Sequence, residues 1–265
     1  QIASTPVSGP GKAPTALRSP TLGDAMANAG LPSRTVSVSL KDRAAILMGG
    51  YRAELALWFD AATFQWATSR WYQRDGVLPA WIDGLNQGLA ARRGEDATWR
   101  SVGQATGRAD QGPAEGFEHA TAVGQGEAAK RTPLGLDLTV DAAAAALRAY
   151  GLGLGEGPDL LAVSFSPLDY VGHKHGPNRR ELEELIVAQD RAVAALLAVV
   201  QDHLPGGLED VMVVLTGDHG APPDGAYLSA HGIPAGRLED VTAAALAEAA
   251  LTDAWGAPPE GRKRL

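Results

Sequence analysis

The chain has 265 residues, of which 45% are apolar and 20% charged, enough for a large packed core and too apolar for general disorder. Its 23 Lys and Arg against 31 Asp and Glu leave a formal charge of −8, a poor balance for non-specific grip on nucleic acid. There is no cysteine, so disulfides, thiolate metal sites and cysteine nucleophiles are excluded, and any metal must sit on His, Asp or Glu. No apolar run approaches the roughly 18–20 residues that span a bilayer. The chain opens on Gln1 with no charged-then-apolar leader, so it is expected to be a processed chain or a piece of a longer protein.

The first twenty residues, rich in Ser, Pro, Thr and Gly, read as loop. A short helix follows over 21–30, with Thr21 as N-cap and Gly30 as stop. Residues 35–40, Thr-Val-Ser-Val-Ser-Leu, alternate as a strand and run directly into Lys41-Asp42-Arg43. Residues 51–99 hold Trp58, Trp66, Trp71, Trp81 and Trp99, expected as a satellite core beneath an insertion, or else as a platform beside a substrate cleft. Gly-, Ala- and Gln-rich residues 101–133 extend that insertion, at about 51–133, as a long surface excursion.

From Val140 to Tyr150 the pattern is helical and stops at Gly151. Residues 159–165 form a short apolar run of buried-strand type. Glu181 to His203 reads as a long helix, with Leu182, Leu185, Ile186, Val193, Leu196, Leu197 and Val200 on one face. Pro205-Gly206-Gly207 ends it, and 210–216 reads as a further buried strand. Arg237 to Leu251 is again helical. Helices alternating with apolar strands predict an α/β layered domain with a mainly parallel sheet.

Ligands in open α/β sheets bind beyond the carboxyl ends of the strands. The first predicted strand is followed by Lys41 and Arg43, the next by Asp169 and His173, the last by Asp218 and His219. Asp169 and His173 have the four-residue spacing that shares one side of a helical turn, or lets a loop fold them together. Gly217 and Gly220 flank Asp218-His219, so a sharp turn presents an oxygen and an imidazole to one cation. Oxygen and imidazole donors without thiolate suit zinc or manganese, with imidazole favouring zinc. Four such ligands can hold one ion or be half-sites of two. Lys41 and Arg43, two apart, point the same way if the strand continues extended, and would clamp phosphoryl oxygens. The bland reading of Lys41-Asp42-Arg43 is a solvated basic turn. His119, His175 and His203 take no role and are expected at the surface.

Residues 39–50, Trp58-Phe59-Asp60, Asp169-Tyr170-Val171-Gly172-His173 and Thr216-Gly217-Asp218-His219-Gly220 occur in that order. Together they resemble the alkaline phosphatase superfamily, in its type I phosphodiesterase/nucleotide pyrophosphatase branch, nearest the phosphate-irrepressible alkaline phosphatases. The resemblance runs from about Ser19 to Arg237. It implies a three-layer α/β/α core, incomplete at both ends, that fills 1–265 as one partial domain. It implies a two-zinc phosphomonoester hydrolase, periplasmic or secreted, acting on a small phosphate ester. Asp169 and His173 would hold one zinc, Asp218 and His219 the other, and Lys41 and Arg43 would contact non-bridging phosphate oxygens.

The family mechanism forms a covalent phospho-enzyme on a Thr or Ser. That nucleophile and the first metal-binding Asp lie upstream of the Lys41 segment in the family, and a last zinc-binding His lies downstream. Thr5 and Ser8 are superficial candidates that follow no strand, and His231 is a weak candidate for the last ligand. Tyr51 stands where relatives often carry His. The chain therefore resembles the middle of a longer enzyme, lacks the nucleophile, and is expected to hydrolyse little by itself. The alternatives are a phosphodiesterase or nucleotide pyrophosphatase, and a non-catalytic metal-binding α/β module.

Overall fold

A computed structural model describes residues 1–5, 7, 11–102, 116–236, 238 and 240–259. The chain divides into two compact units, Gln1–Pro222 and Pro223–Leu265.

The first unit begins with a bridge between Ile2 and Thr68 and reaches helix α1, Leu22–Asn28. Thr21 and Asp24 form a reciprocal capping box at its start, which satisfies two orphan donors. Strand β1, Thr35–Ser39, is followed at once by α2, Asp42–Gly49. Then come β2, Leu55–Asp60, β3, Gln65–Ala67, and α3, Ala80–Ala91. A short antiparallel pair, β4 (Trp99–Arg100) and β5 (Glu118–His119), precedes α4, Gly126–Ala129, and α5, Pro133–Tyr150. Strand β6, Leu160–Ser164, leads into α6, Pro167–His175, and the long α7, Arg180–His203. The second unit holds α8, Gly225–Ala230, and α9, Asp240–Trp255.

The sheet runs β3-β2-β1-β6, with β1 parallel to both neighbours and β3 antiparallel at one edge. Its period of two sorts side chains between two helical layers. Val36, Val38, Leu55, Leu57 and Phe59 face α5, packing with Leu138, Ala142, Ala146 and Leu147. Ala56, Trp58 and Ala67 face the other way, against Ala45 and Ile46 of α2. On that face β1 offers small residues, and the Ser37 hydroxyl donates to the Ala45 carbonyl at 2.6 Å. A methyl on Gly49 would come within 2.6 Å of the same Oγ, so glycine here lets α2 lie close on the sheet. Helix, sheet and helix make the expected three layers. α5 ends as its sequence predicts, with Gly151 left-handed at φ 54.

The expected strand over 210–216 does not form. Residues 208–210 belong to a 3-10 turn, Gly207–Asp210, and 211–216 pair with no strand among the described residues. Met212 and Val214 are 90% and 80% exposed. An apolar run reports a preference for burial, and a strand exists only where a neighbour supplies its hydrogen bonds. The tryptophans do not make one satellite core either. Trp66 belongs to the α5 face, Trp58 to the α2 face, and Trp99 to a third cluster with Leu136, Val171, Leu185 and Ala192. β2 and β3, drawn from the expected insertion, pair within the main sheet, and part of the 101–133 excursion (103–115) lies outside the described residues. On α7, Leu185 is buried, whereas Ile186 of the predicted apolar face is 53% exposed. No described helix is long and apolar enough to cross a membrane.

Candidate metal centre

β1 and β6 are parallel neighbours in register, Ser39 opposite Ser164, so the segments after them leave the sheet at the same rim. That shared rim is where an open α/β sheet places its ligands. Ser39 and Ser166 lie 3.3 Å apart, Oγ to Oγ, and the Lys41 N–H donates to Ser39 Oγ at 3.1 Å. Lys41 is thereby fixed as the N-cap of α2. Pro167 at the first position of α6 suits a helix start, because its missing N–H would be unpaired there anyway. Asp169 sits in the first turn of α6 and His173 one turn later.

Asp169 divides its carboxylate between two kinds of partner. Oδ2 takes the Lys41 ammonium. Oδ1 lies 3.2 Å from His173 Nε2 and 3.3 Å from His219 Nε2. These three residues offer ligand atoms all within 4.8 Å of one another. His219 Nδ1 lies 3.0 Å from the Gly220 carbonyl, a contact that orients the ring. Burial alone would raise the Asp169 carboxyl. The Lys41 ammonium, with His173 and His219 adding to it, outweighs burial and holds it below the ordinary carboxylate range.

The other predicted residues fall around this group. Asp218 adjoins it, with Oδ2 3.5 Å from His219 Nε2 and Oδ1 accepting the His219 N–H at 3.0 Å, but its side chain is 82% exposed and outside the three-residue cluster. Arg43 is exposed in the first turn of α2. The extended continuation that would align it with Lys41 is absent, because the helix starts at Asp42 and a period of two no longer applies. Lys41 Nζ lies 4.6 Å from the Tyr170 ring centre, a cation–π contact. Burial pushes the Tyr170 phenol up, and the Arg43 charge opposes this.

Thr5 is hydrogen-bonded at β3, the edge opposite β6: its Oγ1 accepts from Gln65 Nε2 at 2.8 Å. Ser8 lies outside the described residues. His231 caps α8 in the second unit, with Nδ1 2.8 Å from the Tyr227 carbonyl. Tyr51 donates its hydroxyl to the Leu17 carbonyl at 2.7 Å. The histidines expected at the surface are partly buried instead. His203 Nε2 lies 3.1 Å from the Leu152 carbonyl, and His119 and His175 both approach Glu181. No spacing rule joins a histidine on a two-residue strand to a helix end, so the sequence carries no signal for that approach.

An aspartate and two imidazoles at 3.2 and 3.3 Å fit the spacing of a tetrahedral zinc-class ion. Donors about 2.1 Å from such an ion stand roughly 3.4 Å apart. Three protein donors leave one position open.

The layered α/β core is shared with a solved alkaline phosphatase. The crystal structure of wild-type alkaline phosphatase PafA superimposes with a TM-score of 0.74 at 28% identity, covering 92% of this chain and 49% of that one. Residues 42–238 match the type I phosphodiesterase / nucleotide pyrophosphatase family, and the chain belongs to it. Among similar curated proteins, alkaline phosphatase PafA of Elizabethkingia meningoseptica is 31% identical over 221 residues, 77% of this chain. Alkaline phosphatase PhoV of Synechococcus elongatus is 32% identical over 222 residues, 78% of this chain. The chain spans 40% of the length of each.

Proposed function

We propose that this chain carries metal ligands and phosphate-contacting cations of a zinc-dependent phosphomonoester hydrolase of alkaline phosphatase type. The observation that supports it most is the convergence of Asp169, His173 and His219 beside Lys41 at the carboxyl rim of β1 and β6. The names of its relatives agree with it.

Asp169, His173 and His219 would hold one zinc, and Asp218 would serve a second ion next to it. Bound zinc supplies Lewis acidity toward a phosphoryl oxygen. Lys41 and Arg43 would bind the non-bridging oxygens of the ester. Two cations favour a dianionic monoester over a monoanionic diester, because each added charge strengthens the hydrogen bonds it accepts. The first turn of α6 holds Asp169 in place, and the Gly220 carbonyl orients His219. No hydroxyl of this chain is assigned as nucleophile for the family's covalent phospho-enzyme. The isolated 265 residues are therefore expected to bind zinc and turn over little. A periplasmic or secreted location belongs to the same reading and rests on family resemblance.

The family's description favours a second reading, hydrolysis of diesters or nucleotide pyrophosphates. Turnover of p-nitrophenyl phosphate and bis-p-nitrophenyl phosphate by the full-length protein, before and after Lys41→Ala, separates the two. Selective loss of monoester turnover supports the first. Dominant diester turnover that ignores the substitution supports the second. Zinc binding without cleavage of either ester would leave a metal-binding module.

A further inference from the structure

We propose a second transition-metal site on the other side of α6, built from His119, His175 and Glu181. His119 comes from β5, His175 is the last residue of α6, and Glu181 lies in the first turn of α7. Their ligand atoms all lie within 4.8 Å of one another. Glu181 Oε1 is 3.4 Å from His119 Nε2 and 3.9 Å from His175 Nδ1. Donors about 2.1 Å from a tetrahedral ion stand roughly 3.4 Å apart, so small movements would bring these three to that spacing and leave one position open.

Two observations point to a ligand here. His119 Nε2 is shut off from solvent and has no hydrogen-bond partner among the described residues, although Glu181 is near. A buried imidazole nitrogen normally finds a partner, and an unmatched one needs a reason. The His119 ring is also held from behind. It packs against Phe117 at 5.1 Å and Trp99 at 5.5 Å, centre to centre, and lies 5.6 Å from the His175 ring. The side chains of His119, His175 and Glu181 are 30%, 23% and 15% exposed, sheltered yet reachable.

This site is separate from the Asp169 cluster. His173 and His175 are two positions apart on one helix, about 200° around its axis, so they address opposite sides. Gly176, at φ 79, turns the chain out of α6 and lets α7 bring Glu181 back toward His175. Two imidazoles and one carboxylate select zinc-class ions over calcium or magnesium, which take oxygen shells. An ion here would tie the end of α6 to the β4–β5 pair and to α7, clamping the helix that carries Asp169 and His173.

Zinc binding by the metal-stripped 265-residue chain tests this. In an Asp169→Asn/His173→Gln/His219→Gln background, one zinc per chain should remain bound. Adding His119→Gln or Glu181→Gln should weaken that zinc at least tenfold. No zinc in the background protein, or zinc indifferent to both added changes, would overturn the site. Should the background protein lack a native circular dichroism spectrum, His119→Gln alone in the otherwise intact chain should lower the zinc stoichiometry by one. An unchanged stoichiometry would overturn it equally.

Discussion

Lys41 and Asp169 stand 128 residues apart and form an ion pair at the rim where β1 and β6 end. The pair ties two chain segments together at that rim. It joins the cation just past one parallel strand to the carboxylate just past its neighbour, and the second oxygen of that carboxylate faces two imidazoles. In the proposed enzyme, Lys41→Met should lower monoester turnover by about 100-fold, the usual cost of removing one transition-state donor. Steady-state kinetics on the full-length protein measure this, and the fall should lie in kcat/KM for the monoester more than for the diester.

The cluster ranks the histidines and aspartates. His219 lies inside the three-residue group, and Asp218 faces solvent. Competition with a chromogenic chelator should show His219→Ala weakening zinc at the Asp169 site more than Asp218→Ala does. The reverse order would mean that Asp218 turns inward when metal binds.

Arg34 and Asp159 anchor the start of β1 to the start of β6. Asp159 accepts from the Arg34 N–H at 2.7 Å, from Arg34 Nη2 at 2.7 Å and from the Gly153 N–H at 2.8 Å. Burial would raise this carboxyl, but the Arg34 contacts and the Gly153 N–H together hold it below the usual range. A depressed folded-state value favours the ionised form. Its stabilisation is complete above the ordinary carboxylate value of about 3.9 and is lost as pH falls through the lower folded value. Asp159→Asn should therefore cost about 1–3 kcal/mol near pH 7, discounted because Arg34 is partly exposed, and should flatten the acid limb of Tm against pH.

Gly50 closes α2 at φ 79, where a methyl would meet Asp24 Oδ2 at 2.4 Å. Asp24 is itself committed, accepting the N–H groups of Thr21, Tyr51 and Arg52. Gly50→Ala combines backbone strain with displacement of that carboxylate, an expected loss of about 2–3 kcal/mol by urea denaturation.

The apolar segment after the 3-10 turn separates burial from composition. Val214→Asp should change stability by less than about 0.5 kcal/mol, since Val214 is exposed. Val38→Asp, which places a charge between β1 and α5, should unfold the first unit. Thermal melts of both variants compare the two sites directly.

Much of the core is legible in the sequence because its signals are local. Thr21 marks a helix start, alternation marks β1, Gly151 marks the end of α5, and the four-residue spacing of Asp169 and His173 places both on one turn. The rim itself is legible from the charged residues just past β1 and β6. The segment after Asp210 misleads because its valines and leucine announce a wish for burial but name no partner. Arg43 escapes the expected alignment because α2 starts one residue after Lys41 and resets the period. His119, His175 and Glu181 leave no sequence signal because three separate elements bring them together.

In the proposed enzyme Asp169, His173 and His219 are metal ligands. Anomalous scattering at the zinc edge, from crystals of the chain grown with zinc, locates the ion. A peak bounded by Nε2 of His173, Nε2 of His219 and a carboxylate oxygen of Asp169 is predicted. Crystals with zinc elsewhere and none among these three side chains would contradict it.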